Sequence, residues 1–179
     1  FASAQDAAEH GAVISVDSTG HSDVHSDGQS SGHSNGAIYS YKMAIDHSDI
    51  IAAVVAISGI GFNKWKVETG NQVSVLHIHG TLDNIVWWSG DRFMNVYPGV
   101  LEYIDQWKDN NDCDERKLMS NIDMISQIPG KETEITRYEN QNTSVVTELW
   151  KVKFAGHFPS PNRNSMETIV KWLLDKKRG

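Results

Sequence analysis

The chain has 179 residues, 39% of them hydrophobic and 22% charged, the size and composition of one soluble globular domain able to bury a core of its own. A formal net charge of −7 and a pI near 5.5 argue against nucleic acid as a partner, because binding there needs clustered Lys and Arg on one face. No apolar run approaches the roughly 18 residues of a membrane span, so no membrane partner is expected either.

Residues 2–10 read as the tail of a helix, and Ala12–Val16 as a short buried strand. No signal peptide is visible at Phe1, and a start on Phe rather than Met predicts a processed chain or a fragment. The composition then changes abruptly: residues 17–36 are almost entirely Asp, Ser, Gly, His, Thr and Asn, with Val24 the only aliphatic residue. A polar flexible loop is expected over residues 17–31. Its alternating His21, Asp23, His25 and Asp27 could chelate a divalent ion, but nothing around them supplies a fixed scaffold. Composition alone accounts for them, and no metal site is expected.

From Ala37 to about His47, Ala37, Ile38, Tyr41, Ala44 and Ile45 recur at helical spacing. Ile51–Ile57 is an unbroken apolar run closed by Ser58-Gly59, and Val73–His79 a second strand closed by Gly80. Continuous rather than alternating apolar runs predict strands covered on both faces, as in a parallel sheet. Val100 to about Lys108 is a predicted helix with Leu101, Ile104 and Trp107 on one side. The sole cysteine, Cys113, permits no intrachain disulfide; its acidic neighbours Asp112, Asp114 and Glu115 would raise its pKa, which predicts a half-buried structural thiol. Val145 to Phe154 is the last predicted strand. Met166 to Lys177 is a final helix with Ile169, Val170, Trp172 and Leu173 inward, and the basic cluster Lys176-Lys177-Arg178 suits the negative end of its dipole. Strands alternating with helices predict an α/β fold, and there is no internal repeat.

Gly32-His33-Ser34-Asn35-Gly36 fits G-x-S-x-G, a turn from strand into helix that holds a strained serine hydroxyl out into a site. Partners follow in order. Asp83 ends His79-Gly80-Thr81-Leu82-Asp83, and His157 follows Gly156, each just after an apolar, strand-like run. Ser, then Asp, then His is the order of α/β-hydrolases, unlike those of chymotrypsin and subtilisin. Asp83 is preferred over its neighbour Asp91 because it sits at the carboxyl end of a predicted strand, where sites of α/β sheets lie. His77 and His79 alternate in or beside a strand, so at most one is expected to face the site, and both are read as structural. Of the adjacent Trp87 and Trp88, one ring is expected in the core and the other lining a substrate pocket, to which His33 is also assigned. The backbone N–H of Asn35, at the start of the following helix, is the expected oxyanion donor.

These segments, with the strand ending Ile57-Ser58-Gly59, the turn His77-Ile78-His79-Gly80-Thr81-Leu82-Asp83-Asn84-Ile85-Val86, Trp107-Lys108-Asp109-Asn110-Asn111-Asp112-Cys113 and Gly156-His157-Phe158-Pro159, resemble the polyhydroxybutyrate depolymerase and feruloyl esterase group of α/β-hydrolases. The resemblance runs from about residue 32 to the C-terminus, and weakly over residues 2–17. It implies a mostly parallel α/β-hydrolase-type sheet flanked by helices, a single partial domain over residues 1–179, incomplete on its N-terminal side. It implies a secreted serine esterase without a cofactor, acting on small-molecule or polymeric esters, polyester or hydroxycinnamoyl (feruloyl), with Ser34 as nucleophile, Asp83 as acid and His157 as base.

Three departures from the family pattern stand out. The polar Asp27-Gly28-Gln29-Ser30-Ser31 precedes Gly32 where the family has a strongly apolar strand, so a piece is expected to be missing or replaced between Val16 and Gly32. The upstream strands and the His-Gly-type loop that supplies a second oxyanion donor are lacking. So is the downstream cysteine that often pairs with the one at Cys113. Two rival classes therefore stand beside the esterase: a non-catalytic remnant or binding module without a complete oxyanion hole, and a metal-binding domain using the Asp/His loop. Neither the ester cleaved nor the oligomeric state is legible.

Overall fold

The apolar runs become the middle of a sheet. The computed structural model describes residues 13–16, as backbone only, and 28–177. Its strands are β1 (Val13–Val16), β2 (Gly28–His33), β3 (Ile51–Ile57), β4 (Ser74–Gly80), β5 (Glu115–Leu118), β6 (Thr133–Glu139) and β7 (Val146–Val152); its helices are α1 (Asn35–Asp46), α2 (Val100–Asn110) and α3 (Arg163–Leu174). The strands form one seven-stranded sheet in the order β1-β2-β3-β4-β7-β6-β5. All pairings from β1 across to β7 are parallel, and β6 runs antiparallel to both β7 and β5. This is an α/β architecture with a mixed sheet. The helix expected over residues 2–10 and loop residues 17–27, including His21, Asp23, His25 and Asp27, lie outside the described residues.

Two cores follow from the alternation of side chains across the strands. On one face Val54, Ala56, Val75 and Leu149 pack against Ala37, Tyr41 and Ala44 of α1 and against Val100, Tyr103, Ile104 and Trp107 of α2. On the other, Val55, Leu76, Ile78, Trp150 and Val152 pack against Ile169, Trp172 and Leu173 of α3. Both faces of β3 and β4 are covered, as their unbroken apolar sequences predict. The inward sets of two helices need correction. Leu101 is 57% exposed, with Tyr103 taking its place inside, and Val170 is 46% exposed. In α2 the buried stripe is thus shifted to Val100, Tyr103, Ile104 and Trp107, and in α3 its apolar part narrows to Ile169, Trp172 and Leu173.

The main correction concerns the polar run. Gly28–His33 is not loop but strand β2, paired on both sides: Ser31 lies opposite Ser15 of β1 and Val55 of β3. The buried polar residues of β2 are partly satisfied by bonds to other elements, while Gln29 Oε1 is buried without a partner. Ser30 Oγ lies 2.8 Å from Ser40 Oγ of α1, and Gln29 Nε2 donates to the Lys176 carbonyl at 2.8 Å. Two more strands escaped the sequence reading. β5 and β6 alternate charged and Thr residues with few aliphatics, and Lys117 pairs with Glu139 while Lys151 and Lys153 pair with Glu134. Helix α3 starts at Arg163 rather than Met166 because Asn162 caps it, its side chain accepting from Ser165 N–H at 3.0 Å. Cys113 is fully rather than half buried, and burial, ahead of the charges of Asp112 and Asp114, pushes its thiol pKa up.

Candidate active site

Strand β2 passes directly into α1 through Ser34, whose backbone stands at φ 55°, ψ −117°. Such a conformation in a non-glycine residue costs on the order of 1–3 kcal/mol, so its surroundings must hold it. They do so at both backbone ends: Ser34 N–H donates to the Ile57 carbonyl at the end of β3 at 2.9 Å, and its carbonyl accepts from Ile38 in the first turn of α1 at 3.1 Å. With the backbone fixed, the hydroxyl is presented at the carboxyl edge of the sheet. Asn35 opens α1 and is exposed, and the N–H groups of a first helical turn have no partner inside the helix.

Asp83 lies three residues past the end of β4, and His157 five past the end of β7, adjacent parallel strands in the sheet. Their two turns are stitched together. Thr81 N–H donates to the Val152 carbonyl at 3.0 Å, Leu82 N–H to the Ala155 carbonyl at 2.9 Å, and Phe154 N–H to Thr81 Oγ1 at 3.1 Å. The approach is so close that a Cβ on Gly80 would stand 2.3 Å from the Ala155 carbonyl oxygen.

The outcome is a continuous line of contacts between residues far apart in sequence. His157 Nε2 lies 2.9 Å from Ser34 Oγ, and His157 Nδ1 lies 3.1 and 2.9 Å from the two carboxylate oxygens of Asp83. A carboxylate can only accept, so the imidazole proton sits on Nδ1 and leaves Nε2 a lone pair facing the serine hydroxyl. His157 and Asp83 are both buried. Burial would raise the Asp83 pKa, but hydrogen bonds from His79, from Ile85 N–H, from His157 and from Val86 N–H overcome it and hold it at about 2, below the ordinary 3.8. The acid is therefore ionised at neutral pH.

Asp91, the competing carboxylate, is spent on its own turn, where its oxygens accept from the N–H groups of Phe93, Met94 and Val96. His33 approaches the backbone of His157, its Nε2 2.8 Å from the His157 carbonyl, which makes it the donor, and its ring packs 5.0 Å from those of His157 and Phe158; it also lines a cavity with Gly32, Ile57, Met166 and Val170. Trp88 packs against the α1/α2 core with its ring 5.9 Å from that of His79. Trp87 is 39% exposed and meets Phe93 edge to face. Both His77 and His79 belong to β4 and, being two residues apart, share one face, but His77 contacts Tyr41 and His79 while His79 alone of the two reaches Asp83. His79 Nε2 comes within 3.3 Å of Asp83 Oδ2. Among the described residues no cluster of His, Cys, Asp and Glu is arranged to hold a metal ion.

No protein-family model matches the chain, and no curated protein does. Among solved structures, the acetyl xylan esterase from Aspergillus awamori is similar in fold, with a TM-score of 0.56 at 17% sequence identity over 84% of this chain. The chain spans 60% of that esterase's length. The likeness is one of fold.

Proposed function

We propose that this is a serine carboxylic-ester hydrolase of α/β-hydrolase type. The single observation that carries the reading is the line from Ser34 Oγ through His157 to Asp83, with both contacts at hydrogen-bond distance. The serine hydroxyl is a weak nucleophile by itself. As Ser34 Oγ attacks the ester carbonyl carbon, its proton passes to His157 Nε2, and ionised Asp83 stabilises the imidazolium that forms. Negative charge gathers on the former carbonyl oxygen, where the Asn35 N–H and the positive end of the α1 dipole oppose it. Collapse of that intermediate expels the alcohol, which takes the proton from His157 and leaves an acyl group on Ser34. Water then repeats the cycle with His157 as base, releasing the acid and restoring the serine. Each step balances without a cofactor.

The substrate is proposed from the family resemblance to be a polyester or a hydroxycinnamoyl ester met outside the cell; the similar solved structure bears the name of an esterase of acetylated xylan. The chromogenic ester p-nitrophenyl acetate tests the reaction class without a choice among these. Hydrolysis by the wild-type chain that disappears in Ser34→Ala supports the proposal. A folded wild-type chain that does not exceed Ser34→Ala on acetate, butyrate and ferulate esters contradicts it and favours the non-catalytic remnant.

A further inference from the structure

Behind the acid lies a second set of polar side chains that the reaction just described does not use. Tyr41 Oη of α1 stands 2.7 Å from His77 Nδ1, His77 Nε2 stands 3.1 Å from His79 Nδ1, and His79 Nε2 reaches the Val86 carbonyl at 2.8 Å and Asp83 Oδ2 at 3.3 Å. None of these side chains is open to solvent. A buried polar chain of this length is costly wherever one member lacks its partner.

The direction of every bond in it follows from the two ends. The Val86 carbonyl and the ionised Asp83 carboxylate can only accept, so His79 carries its proton on Nε2. At the far end burial, with a further contribution from Tyr103, raises the Tyr41 pKa well above its ordinary value, so the phenol keeps its proton and donates to His77 Nδ1. Burial, with a further contribution from His79, pulls His77 well below its ordinary value, and the neutral ring carries its one proton on Nε2, facing His79 Nδ1. Both ends demand the same polarity, and each ring nitrogen is used.

We propose that His79 is a positioning residue for the acid, its Nε2–H clamping the Asp83 carboxylate and the turn beneath it, with His77 and Tyr41 locking the tautomer that makes this possible. The inference rests on the proposed ester hydrolysis. Asp83 Oδ1 is held by the N–H groups of Ile85 and Val86, each at 2.9 Å. Oδ2, the oxygen nearer His157, meets His79 on its other side. Val86 is gripped twice, its N–H by the carboxylate and its carbonyl by His79, so one imidazole fixes both the acid and the backbone that aims it. A side chain kept only to fill the core would need no such bonds; leucine or phenylalanine would serve.

The test compares His79→Leu, which removes the donor, with His79→Gln, whose side-chain amide restores an N–H near the Nε2 position. On p-nitrophenyl acetate, folded His79→Leu is expected to lose about 10–100-fold in kcat with KM changed less than about twofold, since the chain touches the acid and not the substrate. His79→Gln should recover most of that loss. Wild-type kcat in a folded His79→Leu overturns the proposal, and so does a loss of the same size in His79→Gln. Should His79→Leu not fold, the nitrogen NMR spectrum of the wild-type chain decides: both His77 and His79 are expected to be protonated on Nε2 alone, and a His79 proton on Nδ1 overturns the clamp. That spectrum needs no activity, so a wild-type chain that hydrolyses no ester counts against the proposed function while the clamp is still judged by it.

Discussion

Gly32 and Gly36 meet backbone to backbone: a Cβ on Gly32 would stand 2.2 Å from the carbonyl carbon of Gly36. The two flanking glycines of G-x-S-x-G thus let the end of β2 and the first turn of α1 pass each other with Ser34 between them. Gly32→Ala must push strand and helix apart. Overpacking of this kind costs about 1–3 kcal/mol, and a backbone neighbour cannot swing aside as a side chain can. A melting temperature several degrees lower, with ester hydrolysis reduced further than the loss of folded protein explains, is the expected outcome of thermal unfolding and rate measurements on this variant. An alanine accepted at no cost would contradict the close crossing.

Asp83→Asn tests the acid by rate and by pH. An asparagine amide can hold the wrong tautomer of His157, and the expected loss in kcat is about 10⁴-fold with the fold intact. Because the folded pKa is about 2, below the ordinary 3.8, the ionised carboxylate stabilises the wild-type fold above pH 3.8, and that contribution is lost as the pH falls through 2. It is on the order of 2 kcal/mol. In urea unfolding, the advantage of wild type over Asp83→Asn should therefore be larger at pH 5 than at pH 2, the remaining carboxylates being common to both. An advantage independent of pH would mean that the hydrogen bonds from His79, His157 and the turn do not favour the ionised form.

Cys113 should be silent. Its thiol is fully buried and its pKa raised, so the thiolate that reacts with alkylating agents is scarce and inaccessible. Iodoacetamide at pH 8 is expected to leave the native chain unmodified and to alkylate it stoichiometrically in urea, as read by intact mass. Rapid alkylation of the folded chain would contradict the placement of Cys113 beside Asn111 and Val145.

The parts of the fold that were legible in the sequence are those where burial is two-sided. Ile51–Ile57 announces β3 residue for residue, because a central parallel strand needs apolar side chains in both directions. β6 was illegible for the opposite reason: Thr133, Glu134, Thr136 and Arg137 satisfy themselves through antiparallel pairing with β7 and through ion pairs, and leave no apolar run. β2 was hidden by its polar residues, whose partners Ser40 and the Lys176 carbonyl lie outside the strand, the latter 147 residues along the chain. In the site, the order and spacing of Ser34, Asp83 and His157 sufficed to bring out the three residues that meet. The bond from His33 to the His157 carbonyl was not legible, because a contact with a backbone carbonyl 124 residues away leaves no local pattern. The contact of His79 with Asp83 could have been found from its place at the end of a strand that leads into the acid's turn.

Covalent labelling by a fluorophosphonate, with the modified residue mapped by peptide mass spectrometry, bears most directly on the claim that Ser34 is an activated nucleophile. The phosphonyl group forms a stable bond only with a serine whose proton is taken by a neighbouring base. The account predicts a single adduct on Ser34 in the wild-type chain and none in folded His157→Ala. A folded wild-type chain that stays unlabelled, or one labelled at a residue other than Ser34, would contradict it.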